Sequence, residues 1–202
     1  MYDVVIIGAG PAGLFAAYEL ITKNSNLKIA ILDCGSKVAN RVCPMNKNKI
    51  PCKNCNPCAI LSGYGGAGTF SDGKLNFIPK LGKSDLMKYM SESEAYKLID
   101  ETEEIFNKFK MDAEIYPSNL DEANDIKKRV AINGAKLLLI KQKHLGSDNL
   151  PGYIEGICKF LIDNGVELFD RTDVIDINTK NSKNHEIIYK KGSKKLKLSQ
   201  KM

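Results

Sequence analysis

A glycine run near the N-terminus constrains this chain more than any other feature. Gly8-Ala9-Gly10-Pro11-Ala12-Gly13 has the spacing G-x-G-x-x-G. Residues 2–7 before it (Tyr-Asp-Val-Val-Ile-Ile) are β-branched and apolar, which predicts a buried strand. Residues 11–23 after it predict a helix with Ala and Leu on one face. Residues 28–33 predict a second buried strand, ending on Asp33, twenty residues after Gly13. Strand, glycine turn, helix and acid-terminated strand make a βαβ unit, and its crossover requires a parallel sheet. Gly8 permits the tight turn, Gly10 lets a pyrophosphate approach bare backbone, and Gly13 lets the helix pack close to the strand. The helix N-terminus offers unpaired N–H groups to phosphates. Asp33 is suited to accept hydrogen bonds from the ribose hydroxyls of an adenosine, which disfavours a 2′-phosphate there. The run alone does not separate FAD from NAD.

Composition places the rest. Of 202 residues, 43% are hydrophobic and 27% charged, as in an ordinary globular domain, which excludes disordered, collagen-like and coiled-coil chains. The net charge of +6 is concentrated at one end: eight of the 30 Lys and Arg, against one of the 24 acidic residues, fall in 180–202. The remainder carries a net −1, so no basic face for nucleic acid is expected. The apolar stretch 4–21 has Asp3 where a signal peptide needs Lys or Arg, and Gly8, Gly10 and Pro11 interrupt it. We therefore expect neither a membrane span nor a secretory signal, and a cytoplasmic protein. The oligomeric state is not legible.

Residues 34–83 have no clean periodicity and are rich in Gly, Pro, Asn and Cys. Residues 84–110 read as a helix, with Leu86, Tyr89, Met90, Leu98, Ile105, Phe106 and Phe109 on a stripe expected to pack as core. A further helix is expected at 121–133, an extended stretch at 135–142, a helix at 151–164 between Pro151 and Gly165, and a strand at 166–170. Short strands follow near 172–178, 185–190 and 194–199, with Gly192-Ser193 as a hairpin turn. The expected organisation is a nucleotide-binding part at 1–83, a mainly helical insertion at 84–150, and a return to the first part at 151–202.

Beyond Asp33 the chain carries Arg41-Val42-Cys43-Pro44 and Gly65-Gly66-Ala67-Gly68-Thr69-Phe70-Ser71-Asp72-Gly73-Lys74-Leu75. With the N-terminal fingerprint and His144-Leu145-Gly146-Ser147-Asp148, these segments resemble the two-dinucleotide-fold flavoproteins. More narrowly, they resemble bacterial FAD-dependent dehydrogenases of uncertain substrate. The resemblance implies a Rossmann-like α/β fold that binds the ADP half of FAD. It further implies an oxidoreductase passing electrons between a small-molecule substrate or NAD(P)H and FAD. It places Arg41 at the FAD pyrophosphate and the backbone of Val174 at the adenine. Independently of it, four Gly and an Ala in the six residues 63–68 (Gly63, Gly65, Gly66, Ala67 and Gly68) leave bare backbone that suits close contact with a flat or phosphorylated ligand. Ser71 and Lys74 add a hydroxyl and a charge beside it. Later parallel strands and a late Gly-Asp segment are absent from the sequence, so the chain reads as the N-terminal portion of a longer enzyme. A non-catalytic nucleotide-binding fragment is the plainer alternative.

Cys43, Cys52, Cys55 and Cys58 fall within sixteen residues as C-x8-C-x2-C-x2-C. Three readings stay open: an iron–sulfur cluster, zinc, or thiol–disulfide chemistry without metal. A four-cysteine metal or redox-sensing module on a Rossmann scaffold is thus another alternative function. Cys34 and Cys158 are expected to be buried. His144 is a candidate flavin or substrate contact against a structural hydrogen bond, and His185 is expected in a solvated turn. No triad, Walker loop or zincin helix is present, so no catalytic acid or base is named.

Overall fold

The computed structural model describes residues 1–181, 184–192 and 194–201. In chain order the regular elements are β1 (Val4–Ile7), α1 (Pro11–Lys23), β2 (Ile29–Leu32), α2 (Pro44–Asn48), β3 (Lys74–Asn76), β4 (Lys80–Leu81), β5 (Ser84–Asp85), α3 (Glu92–Lys108), β6 (Ile115–Tyr116), α4 (Leu120–Ile132), β7 (Gln142–His144), α5 (Leu150–Asp163), β8 (Glu167–Phe169), β9 (Thr172–Asn181), β10 (Asn184–Lys191) and β11 (Lys194–Lys201). They form two compact units. The first is 1–71 with 150–202, the second 72–149. The insertion therefore begins at 72 rather than at 84, because β3 pairs with β7 across the second unit.

The first unit is an α/β fold. A parallel sheet runs in the order β1-β2-β8, with Val4 opposite Ile29 and Leu32 opposite Phe169. All four residues of β2 are buried, as a strand covered on both faces requires. Ala30 and Leu32 pack against Ile187, Val174 and Tyr189 of the antiparallel meander β11-β10-β9. By strand alternation Ile29 and Ile31 face the opposite way. The helices α1 and α5 bury Leu14, Ala17, Tyr18 and Ile21, and Ile157, Cys158 and Leu161. The rings of Tyr18 and Phe160 join the two helices with centroids 5.4 Å apart. Gly165, at φ +87, ends the α5 segment where the sequence predicts a stop.

The second unit joins α3 and α4 to the sheet β3-β7-β6 and the β4–β5 hairpin. The apolar stripe from Leu86 to Phe109 does not form one buried helical face. A capping box between Ser91 and Glu94 starts α3 only at Glu92, so Leu86 and Tyr89 precede the helix and Tyr89 is 82% exposed. Leu98 is also exposed, while Ala95 and Glu103 are buried. Glu103 is buried because Lys143, on β7, is itself buried and donates to it at 3.1 Å. Of the extended stretch 135–142 only Gln142 falls in a strand.

Two smaller expectations also change. Cys34 is exposed, because β2 ends at Leu32 and the chain turns away. His185 lies in β10, half-buried, and its Nδ1 has no hydrogen-bond partner among the described residues. The meander strands occupy the expected places, whereas Ser193 of the expected turn lies outside the described residues.

Candidate nucleotide site

The glycine fingerprint folds as the turn between β1 and α1, and its three glycines do different work. Gly8 has φ +101, a conformation that a side chain resists. A Cβ on Gly13 would lie 2.0 Å from the Gly8 carbonyl oxygen, so only glycine lets α1 approach β1 this closely. A Cβ on Gly10 would meet no protein atom within 4 Å. The protein therefore leaves open space at Gly10, the N-cap of α1, with Pro11 at the first helical position.

Asp33, just beyond β2, is 8% exposed and binds the turn from the other side. Its Oδ2 accepts the Ala9 N–H at 2.8 Å and its Oδ1 the Gly35 N–H at 2.7 Å. Each carboxylate oxygen keeps a lone pair for a further donor. The meander starts at the same place: Thr172 N–H donates to the Asp33 carbonyl at 2.8 Å and Arg171 N–H to the Gly35 carbonyl at 2.7 Å. Val174 is two residues along β9, paired with Tyr189.

The second glycine block lies against the first. Gly65 N–H donates to the Ala9 carbonyl at 2.8 Å, and a Cβ on Gly66 would lie 3.3 Å from the Gly10 Cα. Gly35 and Gly63 also meet, since a Cβ on Gly35 would lie 2.3 Å from the Gly63 nitrogen. Ala67 and Gly68 continue in a short 3-10 turn, and Ser71 N–H donates to the Gly68 carbonyl. Ala12 lies in the first turn of α1. The roles of Gly35, Tyr64 and Thr69 are not legible in the sequence: they come from contacts with distant residues, and only the glycine identity of Gly35 offers a signal.

Arg41, which the resemblance implies for the pyrophosphate, is anchored within the protein. It is 4% exposed, and its guanidinium makes four hydrogen bonds within the protein. Nε donates to the Ala59 carbonyl (3.0 Å), Nη2 to Ile60 (2.7 Å), and Nη1 to both the Tyr64 carbonyl (2.7 Å) and Thr69 Oγ1 (3.0 Å). It also stacks on Phe70, 4.7 Å from the ring centroid. Burial lowers its pKa from the usual arginine value, with Asp33 and Cys58 opposing the shift. Burial likewise raises that of Tyr64. Arg41 thus organises the glycine loop from within.

Lys74 belongs to the second unit, where its amine pairs with Asp72 at 3.0 Å. His144, its cross-strand neighbour, places Nε2 3.0 Å from the Asp72 carbonyl, which gives it a structural hydrogen bond. The four clustered cysteines are all free: Cys52 and Cys55 are exposed, Cys43 and Cys58 half-buried. Among the described residues no group of three or more His, Cys, Asp or Glu is placed to hold a metal ion. The four thiols accordingly do not fit the iron–sulfur or zinc centre that their spacing left open. Among the described residues, no helix is long and apolar enough to cross a membrane.

Residues 1–40 match the Thi4 family. None of the curated proteins matches the sequence. Among solved structures, the chain is similar to 3-ketosteroid-delta4-(5alpha)-dehydrogenase from Rhodococcus jostii, with TM-score 0.59 and 13% identity over 98% of this chain and 44% of that one. It is similar to the E. coli quinol fumarate reductase FrdA, with TM-score 0.55 and 12% identity over 99% of this chain and 31% of that one. It is also similar to glycine oxidase from Geobacillus kaustophilus, with TM-score 0.51 and 17% identity over 99% of this chain and 53% of that one. These likenesses show the fold, a Rossmann-type α/β fold. The chain spans about half or less of the length of these structures.

Proposed function

We propose that the first unit binds FAD through its ADP half, and that the chain supplies the nucleotide-binding part of an FAD-dependent oxidoreductase. The observation that carries the proposal is the open space at Gly10. No protein atom lies where its side chain would be, and α1 begins at that point. The N–H groups of Gly10, Ala12 and Gly13, at the positive end of the helix, suit a pyrophosphate, and Pro11, which has none, presets the first turn. Asp33 has lone pairs left for ribose hydroxyls, and the start of β9 at Val174 is offered to the adenine. Gly65, Gly66, Ala67, Gly68 and Ser71 form the continuing wall, with Lys74 three residues beyond Ser71 in sequence. Arg41 holds that wall in place from behind through Tyr64 and Thr69.

When bound, FAD supplies redox chemistry by one- or two-electron transfer. The chain's own contribution is to hold the nucleotide and to fix the glycine loop beside it. The names of the structural neighbours, a dehydrogenase, a fumarate reductase and an oxidase, support an oxidoreductase that moves electrons between a small-molecule substrate or NAD(P)H and FAD. The clustering of free cysteines supports a reducing, cytoplasmic setting. The test is titration of the purified chain with FAD, followed by flavin absorbance and fluorescence. Retained flavin bands that Gly10→Val removes, with the circular dichroism unchanged, are the expected result. A chain that neither retains nor quenches FAD overturns the proposal.

A further inference from the structure

Residues 43–58 carry four thiols that the nucleotide site does not use. Their loop is closed at its base by Arg41, which precedes Cys43 by two residues and grips the carbonyls of Ala59 and Ile60 just after Cys58. The same guanidinium grips the Tyr64 carbonyl and Thr69 Oγ1 of the glycine loop. One side chain therefore joins the cysteine loop to the loop that covers the fingerprint.

At the tip, Cys52 and Cys55 are both exposed. Between them Asn54 has φ +49, and its N–H donates to Cys52 Sγ at 3.4 Å. Cys43 and Cys58 are half-buried, so Cys52 and Cys55 are the C-x2-C pair most open to a soluble oxidant.

We propose that Cys52 and Cys55 are a reversible dithiol–disulfide modification site, and that Arg41 transmits its state to the glycine loop. The oxidant is a small-molecule disulfide such as glutathione disulfide. The Cys52 thiolate attacks one of its sulfurs and releases one glutathione thiolate. The Cys55 thiolate then attacks Cys52 Sγ, displacing the second glutathione. Two protein thiols are oxidised, one disulfide is reduced to two thiols, and the protons lost from the cysteines pass to the released glutathione. In a reducing compartment such a bond is transient, as redox-sensing disulfides are. The closed ring restrains the tip, and through the carbonyls of Ala59 and Ile60 it steadies Arg41 and the loop at Tyr64 and Gly65.

The experiment uses the whole chain without flavin, so its outcome is independent of FAD binding. Lys53 lies between the two cysteines, so trypsin separates them and a Cys52–Cys55 bond appears as a cross-link between two peptides. After treatment with glutathione disulfide, the cross-link is expected in the native chain and in Cys58→Ser, absent in Cys55→Ser, and reversed by dithiothreitol. Amide exchange at Gly65, whose N–H is bonded to Ala9, is expected to slow about threefold on oxidation. Glutathione adducts without a cross-link, a cross-link lost in Cys58→Ser, or unchanged exchange at Gly65 would each overturn the proposal.

Discussion

The carboxylate of Asp33 accepts the N–H of Ala9 at 2.8 Å, 24 residues away in sequence. The acid just beyond the second strand thus fixes the glycine turn. Asp33→Asn keeps one acceptor but turns an amide donor toward one of the two backbone N–H groups. We expect a loss of about 2 kcal/mol, because a buried charge-assisted hydrogen bond is replaced by a mismatch. Thermal unfolding checks this, with a fall of several degrees in Tm expected.

Gly10 and Gly13 separate binding from folding. In Gly13→Ala the new Cβ would lie 2.0 Å from a backbone carbonyl that cannot rotate away, so α1 must shift. The expected cost is about 3 kcal/mol, at the upper end for overpacking. Gly10→Ala meets nothing in the protein and has an ordinary φ of −72, so its unfolding midpoint is expected to stay within about 0.5 kcal/mol of the parent. Its FAD affinity is expected to fall. Equal destabilisation of the two variants would contradict the division of roles.

Arg41→Lys preserves charge but loses the planar fork. A lysine cannot serve Ala59, Ile60, Tyr64 and Thr69 together, nor stack on Phe70 in the same way. Faster amide exchange of Tyr64 and Gly65, with a loss of about 2 kcal/mol or more, is the expected outcome.

Glu103 sets an acid limit for the second unit. Burial alone would raise its pKa, but hydrogen bonds from Lys141 and Lys143 outweigh burial and hold its carboxyl below the usual value of 4.5. A depressed folded pKa contributes stability that is present above the unfolded value and lost as pH falls through the folded one. The second unit should therefore weaken as pH drops below about 4.5. Glu103→Gln should flatten that part of the profile, as read from hydrogen exchange along β7.

Cys158 and the exposed thiols should differ in reactivity. Burial, with a smaller contribution from Glu155, pushes the Cys158 thiol up to about 12. At pH 8, iodoacetamide should label Cys34, Cys52 and Cys55 and spare Cys158 in the folded protein, as mapped by mass spectrometry. Equal labelling would show that α5 opens readily.

The βαβ unit was legible in the sequence because its signals are local. Each role assigned to Gly8, Gly10 and Gly13 depends on backbone geometry within a few residues. The apolar run of β2 announces a strand covered on both faces, whereas the similar run of β1 is only half-buried and leaves Ile7 51% exposed; Gly165 marks its own stop. Other features were decided only in three dimensions. Arg41 is a fastener because four acceptors from residues 59–69 converge on it, and no spacing rule encodes that convergence. The apolar residues from Leu86 to Phe109 look like one helical face, yet the Ser91–Glu94 capping box starts the helix late and leaves Tyr89 in solvent. The cysteine spacing permitted a metal centre, but spacing does not dictate convergence, and the folded loop keeps two thiols exposed and two half-buried. Local dihedral and burial preferences are written residue by residue. The partners of a buried charge or a thiol are chosen by whatever the rest of the chain brings alongside.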